Sequence, residues 1–169
     1  MDKERFKVEK DTLTKYLPEG AFSFNDMDSN EPYLEVNAST RIDNRYLLRI
    51  ELNVFPEYMP KVYILSICPK GESSWTGADL YNYEGESLKK VSHKNHTLSP
   101  HPIHNWVQIC HYNPGAWRPD ISLWFVYLKC IFWLNSYEYE CFNGIARKAD
   151  VLVGGEVAQE ILIDDDYRF

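Results

Sequence analysis

All five histidines of this chain, His93, His96, His101, His104 and His111, fall within nineteen residues, and Cys110 lies inside the same window. A cysteine is most often a small buried hydrophobe. Neighbouring imidazoles change that, because a base close to a thiol raises its thiolate fraction or carries its proton away. Three readings follow: a cysteine nucleophile, a metal site built on His93-x-x-His96 and His101-x-x-His104, or histidines that only brace a loop. Zinc ligands do come as close pairs, but a structural zinc recruits more than one cysteine, and Cys68, Cys130 and Cys141 are all distant in sequence. No metal and no cofactor is therefore expected.

A self-sufficient cysteine or serine hydrolase would show a nucleophile elbow such as GxSxG, and none is present. There is no GxGxxG and no GxxxxGK[ST], so no recognisable element activates a carboxylate with ATP. Cys110 fits a carrier of an acyl group better than the centre of an independent enzyme.

The elements that must position this window can be read from the pattern. Residues 3–17 form an opening helix with a partial apolar stripe (Phe6, Val8, Leu13, Tyr16), stopped by Pro18 and Gly20. A short strand near Ala21–Phe24 precedes a polar loop. From Tyr33 the apolar residues alternate: Leu34, Val36 and Ala38, then Tyr46, Leu48, Ile50 and Leu52 after a turn at Ile42–Asn44, then Val62–Ile67. With the short strand before them, these three make four in succession, an antiparallel meander, with Pro56 and Pro60 interrupting it because proline donates nothing to a ladder. Residues 69–100 are polar, rich in Gly and Ser and weakly periodic, a long excursion of the kind that tends to be functional. Arg118-Pro119-Asp120 reads as a helix entry, with Asp120 at the positive end. The helix from Ile121 to about Glu138 is apolar nearly all round and so belongs in the centre of the domain. The fold class is α+β, one domain over residues 1–169, with an acidic tail at 157–169.

Composition sets further bounds. A hydrophobic fraction of 44% and an aromatic fraction of 15% supply a full core. The net charge of −7 argues against a nucleic-acid backbone or an anionic membrane surface as partner. The charged N-terminus has no apolar signal region, and the longest apolar run, Ile121 to Leu134, holds fourteen residues and Lys129, too short for a bilayer. A cytoplasmic protein with free thiols is expected.

The order of motifs resembles the ubiquitin-conjugating enzymes. Phe55-Pro-Glu-Tyr-Met-Pro60 stands where that family has a YPxxPP turn after its meander. His101-Pro102 stands for its His-Pro-Asn, Ile109-Cys110 for its Ile-Cys-Leu, and Trp117-Arg-Pro119 for the Trp-Ser/Thr-Pro entry to the central helix. Trp133-Leu134, Tyr137-Glu138, Asn143-Gly144 and Gly154-Gly155-Glu156 are similar to the WL…YE…TG…GGE run of the prokaryotic branch found in the CBASS anti-phage systems. The resemblance spans roughly residues 30–156. It implies a UBC-like fold, with a thioester formed at Cys110 with the C-terminus of a partner protein and passed to an amine. The implied partner is a CBASS nucleotidyltransferase, reached directly or through a separate activating enzyme.

Two departures bear on the site. His101 lies nine residues before Cys110, one fewer than in the family, and the family's loop-ordering Asn falls on Ile103. His104 or Asn105 takes that role only if the shortened loop brings it over Cys110. His101 is expected as a loop brace, Trp117 as a packing residue, and His111 as a possible proton relay, though an extended segment would turn it to the opposite face. The other two readings are a UBC-like binding scaffold without chemistry and a His/Cys metal-binding module.

Overall fold

A computed structural model describes residues 1–143, with side chains through Tyr139. The expectations placed on the Cys141 side chain, Gly154-Gly155 and the acidic tail lie outside what is described.

The chain opens with α1 (Lys3–Tyr16), whose N-cap Asp2 accepts from the Arg5 N–H, with Glu4 in the first turn and Lys15 in the last. The strands are β1 (Phe22–Asn25), β2 (Tyr33–Ser39), β3 (Arg45–Glu51), β4 (Val62–Cys68), β5 (Thr76–Gly77), β6 (Thr97–Leu98) and β7 (Val107–Ile109), followed by α2 (Leu123–Asn143). β1 to β4 form the antiparallel meander that the alternation predicts, paired in sequence order. The sheet then runs β1-β2-β3-β4-β7-β6, with β5 on the other half of the β4 edge. The protein is thus α+β, with an N-terminal helix, an antiparallel sheet and a late helix.

Period-two alternation fixes the two faces. Leu34, Val36, Ala38, Tyr46, Leu48 and Ile50 are sealed on one face, where they pack with Val126, Cys130, Phe132 and Leu134 of α2. Glu35, Arg49 and Glu51 stand on the other.

The start of α2 corrects the expected helix entry. Asp120 pairs with Arg118 in solvent, and the helix begins at Leu123. Ser122 caps it, its hydroxyl accepting from the Phe125 N–H at 3.1 Å. Glu9 of α1 accepts the Leu123 N–H at 2.7 Å and the Arg5 Nε–H at 2.7 Å, while Arg5 donates to the Ile121 carbonyl at 2.7 Å. A buried carboxylate at a helix N-terminus satisfies donors that the helix itself leaves orphaned. α1 is therefore bolted to α2 by a polar contact, and its apolar stripe contributes only Leu13 to the fully buried set.

The 69–100 excursion has no helix, and it is part of the core. Leu80 and Leu88 are buried, and Asn82 closes a tight turn by accepting from the Glu84 and Glu86 N–H groups. Two aromatic side chains of α2 hold it down: Trp133 donates to the carbonyls of Asn95 (3.2 Å) and His96 (3.0 Å), and Tyr137 to that of Tyr81 (3.2 Å).

Candidate functional site

β7 carries the chain to Cys110. Gln108 pairs with Tyr63 on β4 and Leu98 on β6, and Ile109 with Val62 and Thr97. On the β6 side the ladder takes one further step, where the Cys110 N–H donates to the His96 carbonyl at 2.8 Å. On the β4 side, the register carried one residue past Val62 sets Lys61 across from Cys110. Past this point the chain turns through a 3-10 segment, Pro114–Ala116, in which Asn113 accepts the Gly115 N–H.

Cys110 is half-buried, whereas Cys68 and Cys130 are buried. Its thiol lies 3.7 Å from the Tyr112 carbonyl, to which it donates. Burial raises the thiol's pKa above its usual value, partly opposed by the hydrogen bond at Tyr112. The expected ring of imidazoles is absent: among the described residues, no histidine side chain hydrogen-bonds to this thiol.

The histidines divide by strand geometry. His101 braces the loop before β7: its Nδ1 accepts from the N–H groups of Ile103 (3.3 Å) and His104 (3.2 Å). The same loop closes through His101 N–H to the Trp106 carbonyl and Asn105 N–H to the His101 carbonyl. With Nδ1 accepting, the proton of the neutral ring belongs on Nε2, which faces Glu51 at 3.9 Å. Burial, then His104, holds the His101 pKa below its ordinary value.

His104 stacks on Trp106 with ring centroids 4.2 Å apart, and Asn105 occupies the left-handed region at φ 54°. Both belong to the His101 cluster on the outer sheet face, and neither has a described contact with Cys110. Ile103 is 81% exposed. His111 is corrected from a relay to a core residue. It is 1% exposed, and burial pushes its pKa down to about 4, which keeps the ring neutral at neutral pH. Among the described residues no group of three or more His, Cys, Asp or Glu side chains could hold a metal ion.

Trp117 ties two motif segments together. Its indole N–H donates to the Pro56 carbonyl at 2.9 Å, and its ring meets Phe55 and Tyr112 edge-on at 6.1 and 5.6 Å. The turn after β3, the residue that holds the Cys110 thiol, and the entry to α2 thus share one aromatic contact.

Sequence reading missed a pocket of about 400 Å³ on the outer face of the sheet. Its floor is Arg49, Glu51 and Tyr63, its near wall the His101–His104 loop, and its edge toward Cys110 is Lys61. The signal was present in the alternation of β3, which puts Arg49 and Glu51 together on the face away from the core. Nothing in the sequence placed the His101 loop over them.

Comparison with protein-family models, with curated proteins and with solved structures finds no match to this chain. Among the described residues no helix is long and apolar enough to cross a membrane.

Proposed function

We propose that Cys110 is an acyl-carrying nucleophile in a UBC-like protein of the prokaryotic, CBASS-associated kind. The observation that carries this reading is a half-buried thiol held at the carbonyl of Tyr112, whose ring meets Trp117. The Trp117 to Pro56 hydrogen bond joins the proline turn to the entry of α2, His101 braces the loop leading into β7, and Cys110 ends that strand half-buried.

The chemistry has two steps. The Cys110 thiol attacks the carbonyl of a partner's C-terminus already activated as a thioester on a separate enzyme; the Cys110 proton is released and the donor's thiolate leaves. An amine then attacks the new thioester, the amide forms, Cys110 leaves as thiolate, and the amine's proton passes to solvent. A thioester is activated enough to need positioning and hydrogen bonds more than a strong base. Burial raises the Cys110 pKa, so the thiol gives up its proton as it attacks rather than resting as a thiolate. The partner proposed is the C-terminal tail of a cyclic-nucleotide-forming nucleotidyltransferase.

The test is co-expression with the genomic neighbours and a non-reducing gel. A conjugate lost on adding thiol, and absent in Cys110→Ala, supports the reading. One observation favours a second reading, a binding scaffold without chemistry: Ile103 offers no amide where the family's Asn stands, and it points to solvent. In that case the neighbours co-purify with the chain and no thiol-sensitive conjugate forms.

A further inference from the structure

The outer-face pocket has charged groups that the fold does not spend. Arg49 lies flat on the Tyr33 ring, its guanidinium carbon 3.7 Å from the centroid. Its Nε is buried without a hydrogen-bond partner, and among the described residues Arg49 forms no hydrogen bond or ion pair. With Nε sealed, the donors left to a ligand are the two terminal nitrogens of a guanidinium fixed by stacking, which suit a planar, bidentate acceptor, and a carboxylate is that shape. Lys61, on the same pocket edge, likewise has no ion pair among the described residues.

The remaining charges rule on what carries that carboxylate. Glu51 stands two residues from Arg49 on the same strand face, about 7 Å along it. Its one described ionic neighbour is a His101 ring 3.9 Å away, which burial keeps neutral. Asp26 and Glu31 line the pocket as well. Three carboxylates against the two cations Arg49 and Lys61 leave the pocket net negative, which opposes a phosphate and welcomes an ammonium group. Ile103 supplies an apolar surface at the mouth. A pocket of about 400 Å³ is at the small end of ligand sites.

We propose that this pocket binds a small zwitterion of the amino-acid type, its carboxylate on Arg49 and Lys61, its ammonium on Glu51 and Glu31, and its side chain against Ile103. This is independent of the acyl-carrier reading, because no atom of Cys110 takes part.

The test is calorimetric titration of the whole chain with the standard free L-amino acids, their N-acetyl and α-amide derivatives, and inorganic phosphate. At least one free amino acid is expected to bind saturably. Blocking either of its charges should weaken binding by about tenfold or more, as should Arg49→Gln. Lys61→Gln should weaken it severalfold; Lys61 is exposed, so that variant keeps the fold if Arg49→Gln does not. Cys110→Ala should bind as well as the parent, so failure of the carrier reading leaves this result untouched. No saturable binding of any free amino acid at millimolar concentration would overturn the proposal. So would equal binding of the blocked derivatives, binding unchanged in both Arg49→Gln and Lys61→Gln, or phosphate binding as tightly as any amino acid.

Discussion

The backbone N–H of Cys110 donates to the carbonyl of His96 at 2.8 Å, so the excursion that precedes the site also holds its cysteine. That same carbonyl accepts the Trp133 indole N–H at 3.0 Å, which places α2, the excursion and Cys110 on one shared oxygen. His96 itself sits at φ 48°, in the left-handed region that few non-glycine residues adopt.

Trp133→Phe should therefore loosen the site from behind. It keeps an aromatic ring but removes the donor to Asn95 and His96 together with part of a buried indole, at a cost of about 2–4 kcal/mol in denaturant unfolding. Labelling of Cys110 by a small thiol reagent, followed by peptide mass spectrometry, should become faster in this variant, while Cys68 and Cys130 stay slow because they are buried. Unchanged stability together with an unchanged Cys110 rate would mean the indole bonds do not hold this segment.

Glu9→Ala should cost about 2–4 kcal/mol, more than an exposed helix substitution, because it strips partners from the Leu123 N–H and from Arg5 in a buried setting. Glu9→Gln should recover part of this, since one oxygen remains to accept from Leu123. Equilibrium unfolding of both variants decides the point, and a loss below about 0.5 kcal/mol for Glu9→Ala would show that α1 is held by its apolar contacts instead.

His111 sets an acid limit on stability. Its pKa in the folded state is about 4 against an ordinary 6.5, so the unfolded chain binds the extra proton first. The full contribution is present above pH 6.5, is lost as pH falls through the window down to about 4, and reaches about 3 kcal/mol at the bottom. His101, also held low, adds a loss of the same sign. Glu9 acts oppositely, since its raised pKa favours the folded state as it protonates. Comparing the parent with His111→Leu removes that background: unfolding free energy measured from pH 7 to pH 4 should fall less steeply in the variant. Parallel curves would contradict a buried neutral imidazole.

The meander and the central helix were legible because burial on one face imposes a period on the sequence, two for β2 and β3, with an apolar run for β4 and near-total apolarity for α2. The position of Cys110 at the end of a strand was less so. β7 is three residues long, and β6 two, below the length at which alternation can be told from chance. The order of the excursion was not legible because it comes largely from Trp133 and Tyr137 donating to its backbone carbonyls, a tertiary effect with no local signature. For the same reason the histidine cluster misled. Sequence proximity suggested imidazoles around Cys110, whereas the turn at His101–Trp106 and the pleat at Ile109–His111 send His101 to the outer face and His111 into the core.

The central claim, a thioester on Cys110, is tested most directly by intact-mass analysis of the chain recovered from cells that also express its genomic neighbours. The account predicts a covalent adduct with a neighbour's C-terminus that maps to Cys110, is released by thiol, and is missing from Cys110→Ala. In Cys110→Ser the adduct should survive mild thiol and yield to alkali, as an oxyester does. An adduct that persists in Cys110→Ala, or no adduct with any neighbour, would contradict it.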